Sequence, residues 1–103
     1  MSLREKQSRF VLMVSDLIRY AEQEGYDLTF GDAYRSKKVK YGHKRSLHRK
    51  RLAIDLNLFM DGVYLKSTTD HIPLGLYWES IGGTWGGRFG DGNHYSLKHK
   101  GMK

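Results

Sequence analysis

The 103-residue chain has no cysteine and no long hydrophobic run. Without thiols it can form no disulfide, iron–sulfur cluster or thiolate metal site, so any bound metal must be held by His, Asp or Glu. Its longest apolar run is far short of a membrane span, and the N-terminus lacks the apolar region of a signal peptide. We therefore expect the protein to be made in the cytoplasm.

Acidic residues are scarce relative to basic ones, 11 against 18, which leaves a net charge of +7. Such a charge favours polyanionic partners: nucleic acid, anionic lipid or the acidic polymers of a bacterial envelope. Nine Lys and Arg residues lie between Arg35 and Arg51. We interpret this segment as a long loop that is either a solvated basic surface or a binding patch.

Size and composition indicate a single domain over residues 1–103, with one modest core. Apolar residues make up 39% of the chain and aromatic residues 13%, which argues for a folded globule and against disorder.

The first part of the chain predicts a helix from Ser2 to Glu24 that serves as scaffold. Ser2 and Glu5 have the spacing of a capping box, and Gly25 suits the residue that ends the helix. Apolar residues recur at three- and four-residue spacing and predict a single buried stripe. The stripe consists of Phe10, Met13, Val14, Leu17, Ile18 and Ala21.

Alternating apolar and polar residues predict several strands and one more helix. The strands are 26–34, 52–59, a hairpin partner at 63–66, and 94–97; the second helix runs from a cap at Thr68, Thr69 or Asp70 to about Ile81, with Pro73 in its first turn. In the strand 52–59 one face is wholly aliphatic, and Asp55 lies in the middle of the other. An interior strand carboxylate is unfavourable unless it is paired or binds a metal, so Asp55 either forms a salt bridge to Arg35 or Arg51 or is a metal ligand.

The glycine-rich stretch 82–95 contains Asp91 three residues before His94. So many glycines suggest that backbone approaches a partner closely there, and we expect them to shape a cleft wall against the substrate. Trp85 lies in this stretch, and either it or Trp78 could line the cleft or pack in the core; for Trp78, inside a helix, the core is favoured.

Three residues from separate parts of the chain would complete a catalytic metal site. His48, Asp55 and His94 form a set of two histidines and one carboxylate, and three protein ligands with an open fourth position are typical of catalytic zinc. Asp91 could then accept a proton from the attacking water and pass it to the leaving amine, a role for which Glu79 competes. Arg35 could stabilise the oxyanion at the attacked carbonyl.

The pattern Ser46-x-His48-x-x-x-x-Ala53-x-Asp55, followed by Asp91-x-x-His94-Tyr95, resembles that of the M15 metallopeptidases. These are D-Ala-D-Ala carboxypeptidases and L-alanyl-D-glutamate endopeptidases, and the glycine-rich stretch is similar to that of the phage endolysin branch. The resemblance covers about residues 34–97. It implies zinc held by His48, Asp55 and His94, with Asp91 as general base and Arg35 as transition-state stabiliser.

The resemblance also implies an α+β fold of the Hedgehog/DD-peptidase type, a small antiparallel sheet with helices packed on one side. Two positions depart from the family pattern. The family often has glycine three residues after the first histidine, where this chain has Arg51, and many of its carboxypeptidases have Glu at the position of Asp91.

The function implied is hydrolysis of an amide bond in peptidoglycan stem peptides. We expect an L-alanyl-D-glutamate endopeptidase that acts, as a monomer, on the cell wall as an endolysin once the membrane has been permeabilised. The alternatives are a D-Ala-D-Ala carboxypeptidase and, in another class, a small basic nucleic-acid-binding module. The last offers no reason for Asp55 or for the Asp91–His94 pair, so no nucleic-acid partner is expected.

Overall fold

The computed structural model describes residues 1–36 and 46–103. Its longest element is helix α1 (Leu3–Gln23). Its N-terminus is closed by the predicted capping box: Ser2 N donates to Glu5 Oε1 at 3.0 Å, and Glu5 N donates to Ser2 Oγ at 3.1 Å. Gly25 follows the helix with φ of 87°, a left-handed conformation that glycine adopts without strain. The predicted stripe is confirmed, because Phe10, Met13, Val14, Leu17 and Ala21 are buried and Ile18 packs against them.

In the described part of the chain, five strands form one antiparallel sheet: β1 (Asp27–Phe30), β2 (Ala53–Met60), β3 (Val63–Leu65), β4 (Thr84–Trp85) and β5 (His94–Ser96). Their order is β1-β2-β5-β4, with β3 also paired to β2. Together with two helices, this sheet confirms the predicted α+β class.

The central strand β2 was predicted from its alternation, and the structure confirms that pattern. Ile54, Leu56 and Leu58 are buried, whereas Asp55 on the opposite face is only partly buried. The first part of β2 pairs with β5 and the second with β1, so that Asp55 lies directly opposite His94. This register brings the two candidate ligands together.

The first strand is shorter than predicted. It ends at Phe30, whose side chain is 70% exposed, and the chain beyond it leaves the regular ladder. Gly31 N still donates to Asp55 O at 2.8 Å, and Asp55 N donates to Asp32 O at 2.8 Å. The segment 31–32 therefore fixes the backbone of Asp55 on the edge away from His94.

Helix α2 (Ile72–Ser80) has Pro73 in its first turn, as predicted, but its predicted cap is wrong. A 3-10 turn (Thr69–His71) precedes it, and neither Thr68 nor His71 makes a side-chain cap bond. The Ser67 hydroxyl caps that turn by accepting from Asp70 N at 3.1 Å, and Asp70, one of the three predicted caps of α2, takes part in the turn by accepting from Ser67 N at 3.3 Å. Because the turn continues into the helix, the capping position moves upstream.

Both helices share one core with the sheet. The ring of Phe10 from α1 meets that of Trp78 from α2 edge to face, with centroids 5.8 Å apart. Trp78 in turn meets Tyr95 of β5 at 6.1 Å. Within residues 1–36 and 46–103, neither helix combines the length and apolar character needed to cross a bilayer.

Candidate metal centre

His48 is held by a short 3-10 turn (Leu47–Lys50) at the end of the basic segment. The Ser46 hydroxyl caps this turn by accepting from His48 N at 3.2 Å. The part of the predicted long loop between residues 37 and 45 lies outside the described residues, and 46–51 are ordered into this turn. His48 itself is only 2% exposed, so its ring is fixed by packing.

The turn ends at Arg51, which has φ of 56° and ψ of 36°. This left-handed conformation favours glycine, which explains why a glycine would suit the position. The Arg51 guanidinium lies 4.1 Å from the centroid of the Tyr34 ring. Arg51, where the family often has glycine, is therefore in a strained backbone conformation, and its side chain makes a cation–π contact that a glycine could not make.

The three predicted ligands converge on one point. His48 Nε2 lies 3.1 Å from Asp55 Oδ1, and His94 Nδ1 lies 3.5 Å from the same oxygen. The three candidate ligand atoms all lie within 4.8 Å of one another, as a metal site requires. Imidazole nitrogens with a carboxylate oxygen are a donor set that suits zinc and related divalent ions.

The hydrogen bonds of Asp55 stabilise its charged form. Burial alone would raise the pKa of Asp55, but the hydrogen bonds from His48 and His94 and their charges lower it to about 2. The expected alternative, a salt bridge from Asp55 to Arg35 or Arg51, is not found among the described residues. Its partners are the two histidines. A carboxylate that stays ionised is ready to bind a cation.

His94 is oriented from both sides of its ring. Burial would lower the pKa of His94, whereas its hydrogen bonds to Asp55 and to the backbone carbonyl of Lys103 raise it above the ordinary value. The second of these bonds, from Nε2 to Lys103 O, is 3.0 Å long. The ring is 7% exposed, so little solvent competes for these positions.

The metal-binding cluster opens into a cavity of about 640 Å³. Its lining contains both predicted catalytic residues, Arg35 and Asp91, beside His48, Asp55 and His94. Phe89, 51% exposed, also lines this cavity and contacts the ring of His94 at 5.9 Å between centroids. All five predicted site residues therefore face one space.

Arg35 is held at this cavity by hydrogen bonds to His48 and Asp32. Its backbone N donates to His48 O at 3.2 Å, and its guanidinium donates to Asp32 Oδ2 at 3.1 Å. The side chain is 11% exposed, which leaves its guanidinium at the cavity edge with a fixed orientation.

Glu79, the competing candidate for the general base, lies elsewhere. It is on α2, and Arg88 holds its carboxylate by two hydrogen bonds of 2.8 and 2.7 Å. The hydrogen bond and charge of Arg88 lower the pKa of Glu79. Geometry thus favours Asp91 over Glu79 as the acid that faces the cavity.

The glycine-rich stretch is built around two tryptophans. Trp78 is fully buried and Trp85 is 4% exposed, so both pack in the core. A Cβ on Gly83 would lie 2.1 Å from the Trp78 ring, and one on Gly87 would lie 2.2 Å from the Trp85 ring. Gly83 and Gly87 therefore make room for indole rings, and the described lining of the cavity contains no glycine of the stretch 82–92, which corrects the expectation of a cleft wall.

Gly86 has a direct link to the metal centre. A Cβ there would lie 2.3 Å from Asp91 O and 2.7 Å from the Cβ of His94. The backbone of Asp91 is anchored at the same place, because Asp91 N donates to Gly86 O at 2.9 Å. The close approach of this glycine sets the distance between the strand and the turn that carries Asp91.

Two parts of the site were missed from the sequence. Phe89 stands in a 3-10 turn (Gly86–Phe89) that glycine content concealed, and the segment 101–103 lines the cavity although it is far from any motif. A single aromatic residue just before Asp91 was the only available signal for Phe89. For the backbone carbonyl of Lys103 there was no signal, because any residue supplies one.

Comparison with known proteins gives an independent result. A family model of the M15 peptidases, described as D-alanyl-D-alanine carboxypeptidase, matches residues 40–97. The match includes His48, Asp55, Asp91 and His94, whereas Arg35 precedes it. No curated protein matches the chain.

Proposed function

This chain belongs to the M15 peptidase family of D-alanyl-D-alanine carboxypeptidases, and from that membership we propose that it is a zinc-dependent peptidase of bacterial peptidoglycan. The bond that it cleaves is the L-alanyl-D-glutamate bond of the stem peptide, and its role is that of a phage or prophage endolysin. The net charge of +7 suits the acidic stem peptides and anionic polymers of a wall.

One observation carries the proposal. His48 Nε2 and His94 Nδ1 both face Asp55 Oδ1, at 3.1 and 3.5 Å, at the base of an open cavity. A structural zinc site would surround the metal with four protein ligands, whereas the described residues supply three beside a cavity, which leaves a position for water or substrate. This arrangement favours a catalytic metal.

Zinc in this site would supply Lewis-acid chemistry, lowering the pKa of water to about 7 and polarising the peptide carbonyl. His48, Asp55 and His94 are the residues that would hold it. Their positions come from a capped turn and two paired strands, so the donor set is preorganised by rigid elements.

Asp91 and Arg35 act on the substrate from the cavity lining. As a new C–O bond forms at the carbonyl carbon, Asp91 accepts the proton from the attacking water. It then gives this proton to the amide nitrogen as the C–N bond breaks. The Arg35 guanidinium stabilises the negative charge that develops on the carbonyl oxygen.

The test combines metal analysis with substrate cleavage. Purified protein should contain about one zinc per chain, as three-ligand catalytic sites do, and a chelator should abolish its cleavage of peptidoglycan until zinc is added back. Activity that is indifferent to the chelator would refute the metallopeptidase.

A second candidate is a D-Ala-D-Ala carboxypeptidase, which the description of the matching family favours. Purified muropeptides distinguish the two, because the endopeptidase releases the whole peptide after its first alanine and the carboxypeptidase releases only the terminal D-alanine. Mass spectrometry of the products identifies the bond. If free alanine were the only product released, the protein would be a carboxypeptidase and the endopeptidase assignment would be wrong.

The endolysin role has its own test. Added to Gram-negative cells with a permeabilised outer membrane, the protein should clear the suspension, and the Asp91→Asn variant should not. Soluble muropeptide cleavage without clearing of cells would contradict a role in lysis.

A further inference from the structure

The C-terminal segment 99–103 folds back onto the candidate metal centre. His99 N donates to Met102 O at 3.1 Å, and Met102 N donates to His99 O at 2.8 Å, which closes a tight turn. Met102 packs against the core, and Gly101, Met102 and Lys103 line the cavity. The segment is therefore docked at the site through both backbone and side-chain contacts.

Lys6 of helix α1 contacts the chain where this segment begins. Lys6 Nζ donates to Lys98 O at 3.3 Å and lies 3.3 Å from His99 Nδ1. The backbone oxygen of Lys103 then accepts from Ser96 Oγ at 2.9 Å and from His94 Nε2 at 3.0 Å. One oxygen thus joins the segment to two side chains of strand β5.

The chemistry of this contact determines how the His94 ring is used. A backbone oxygen can only accept, so His94 Nε2 must carry a proton. In the charged ring Nδ1 also carries a proton and donates to Asp55, whereas in the neutral ring the proton on Nε2 leaves the lone pair of Nδ1 facing Asp55 and open to a metal ion. An outer hydrogen bond of this kind fixes both the tautomer and the orientation of a histidine ligand.

The other histidine has no such partner among the described residues. His48 Nδ1 is buried and makes no hydrogen bond there, while its Nε2 faces Asp55. The packing of a ring that is 2% exposed holds His48, whereas His94 depends on a hydrogen bond from a distant segment.

We propose that segment 99–103 is a positioning element of the metal centre, in which the backbone oxygen of Lys103 holds the His94 ring so that Nδ1 can bind the metal. The proposal rests on the metal site of the proposed function. It assigns a role to backbone and not to the Lys103 side chain, and it makes metal affinity depend on a segment outside the family match at residues 40–97.

The experiment compares zinc affinity between variants that keep and variants that lose this backbone oxygen. A chain that stops at Met102 loses it but keeps the Met102–His99 bonds, whereas Lys103→Ala keeps it and loses only the side chain. Competition with a chromophoric chelator should show zinc bound about 10-fold or more weakly by the shortened chain, the loss typical of an outer hydrogen-bond partner. Lys103→Ala should bind zinc like the parent chain.

A third variant disturbs the segment without shortening it. Gly101 has φ of 78° and open space around its Cβ position, so Gly101→Ala, which adds only a Cβ, acts through backbone strain. It should weaken zinc binding in the same direction as the shortened chain. Far-UV circular dichroism and thermal unfolding establish that each variant is folded.

Nitrogen-15 NMR of the metal-free protein tests the tautomer directly. At alkaline pH the neutral His94 ring should carry its proton on Nε2 in the parent chain and lose this preference in the shortened chain. If the full chain binds no zinc, the proposed function fails, and this measurement still decides the role of the segment.

Equal zinc affinity in the folded parent and shortened chains would overturn the inference. So would an Nδ1-protonated His94 ring in the parent chain. A rise in peptidase activity on shortening, with zinc affinity unchanged, would mean that the segment obstructs the cavity instead of positioning its ligand.

Discussion

On one face of the β2–β5 pair lie Asp55 and His94, directly opposite each other, and on the other lie Ile54 and Tyr95. The first face opens to the cavity, while the second is sealed against the helices by Trp78 and Trp85. Successive strand residues alternate between faces, so the same backbone register positions both sets. A one-residue slip would exchange them and destroy the metal centre and the core together.

The two faces are held rigid by different means. On the cavity face, hydrogen bonds orient His48, Asp55 and His94, whose ligand atoms contact one another and would bind the metal in its presence. On the core face, the indole N–H of Trp78 donates to Ser96 O at 2.9 Å and that of Trp85 to Gly92 O at 2.8 Å. Both indole N–H groups of the core face thus have backbone acceptors, so this face is structural, whereas the cavity face is functional.

The largest expected effect comes from removing the Asp55 carboxylate, which contacts both histidines of the cavity face. Asp55→Ala should abolish zinc binding and peptidase activity, with a loss of affinity beyond the roughly 10–100-fold typical of outer-sphere partners. Zinc content after dialysis and muropeptide cleavage measure it.

The neighbouring Ile54→Val is the matched control for the core face. It should bind zinc normally and lose only about 0.5–1.5 kcal/mol of unfolding free energy. If Asp55→Ala retained stoichiometric zinc, the assignment of the ligand set would be wrong.

Next in size is the effect of the proton-transfer residue. Asp91→Asn should lower kcat by about 10²–10⁴-fold while zinc affinity is kept, because it removes general-base catalysis and not a ligand. Glu79→Gln, which breaks only the ion pair to Arg88, should retain activity. If Glu79→Gln lost activity and Asp91→Asn kept it, the general base would be Glu79 on α2 and not Asp91.

A third prediction addresses the core face, where the sign of the effect is diagnostic. By helix propensity alone, Gly75→Ala in α2 would stabilise the protein by about 1 kcal/mol. The structure predicts the opposite, because the added Cβ would lie 2.1 Å from the Trp85 ring. We expect a loss of about 1–3 kcal/mol in chemical denaturation, as overpacking produces.

Leu76→Ala, at the adjacent half-exposed position of the same helix, supplies the control. It should change stability much less than Gly75→Ala, since the Leu76 side chain is 50% exposed. A stabilised Gly75→Ala variant would show that the indole is not locked in place.

The smallest effect concerns Arg51, at the end of the turn that carries His48. Arg51→Gly and Arg51→Ala both lose the contact with the Tyr34 ring, but only glycine relieves the left-handed backbone. Arg51→Gly should therefore be the more stable of the two by about 1 kcal/mol in unfolding free energy. Equal stabilities would mean that the turn relaxes without cost.

Much of the fold followed from local patterns. The capping box of α1, its apolar stripe and the alternation of β2 depend on neighbours in sequence, and all three predictions are confirmed. The cap of α2 was mispredicted because an unforeseen 3-10 turn shifted it to Ser67. β4 was not foreseen either, since two residues among glycines carry no alternation.

The sequence by itself determined which residue types could hold a metal, since a chain without cysteine leaves only His, Asp and Glu, and motif spacing singled out three of them. Only the tertiary structure decided that Asp55 pairs with histidines and not with an arginine, that Glu79 is occupied by Arg88, and that glycines accommodate indoles. Those outcomes depend on contacts between segments distant in the chain. Spacing along a sequence specifies the chemistry available, but the register of β2 against β5 specifies which side chains meet.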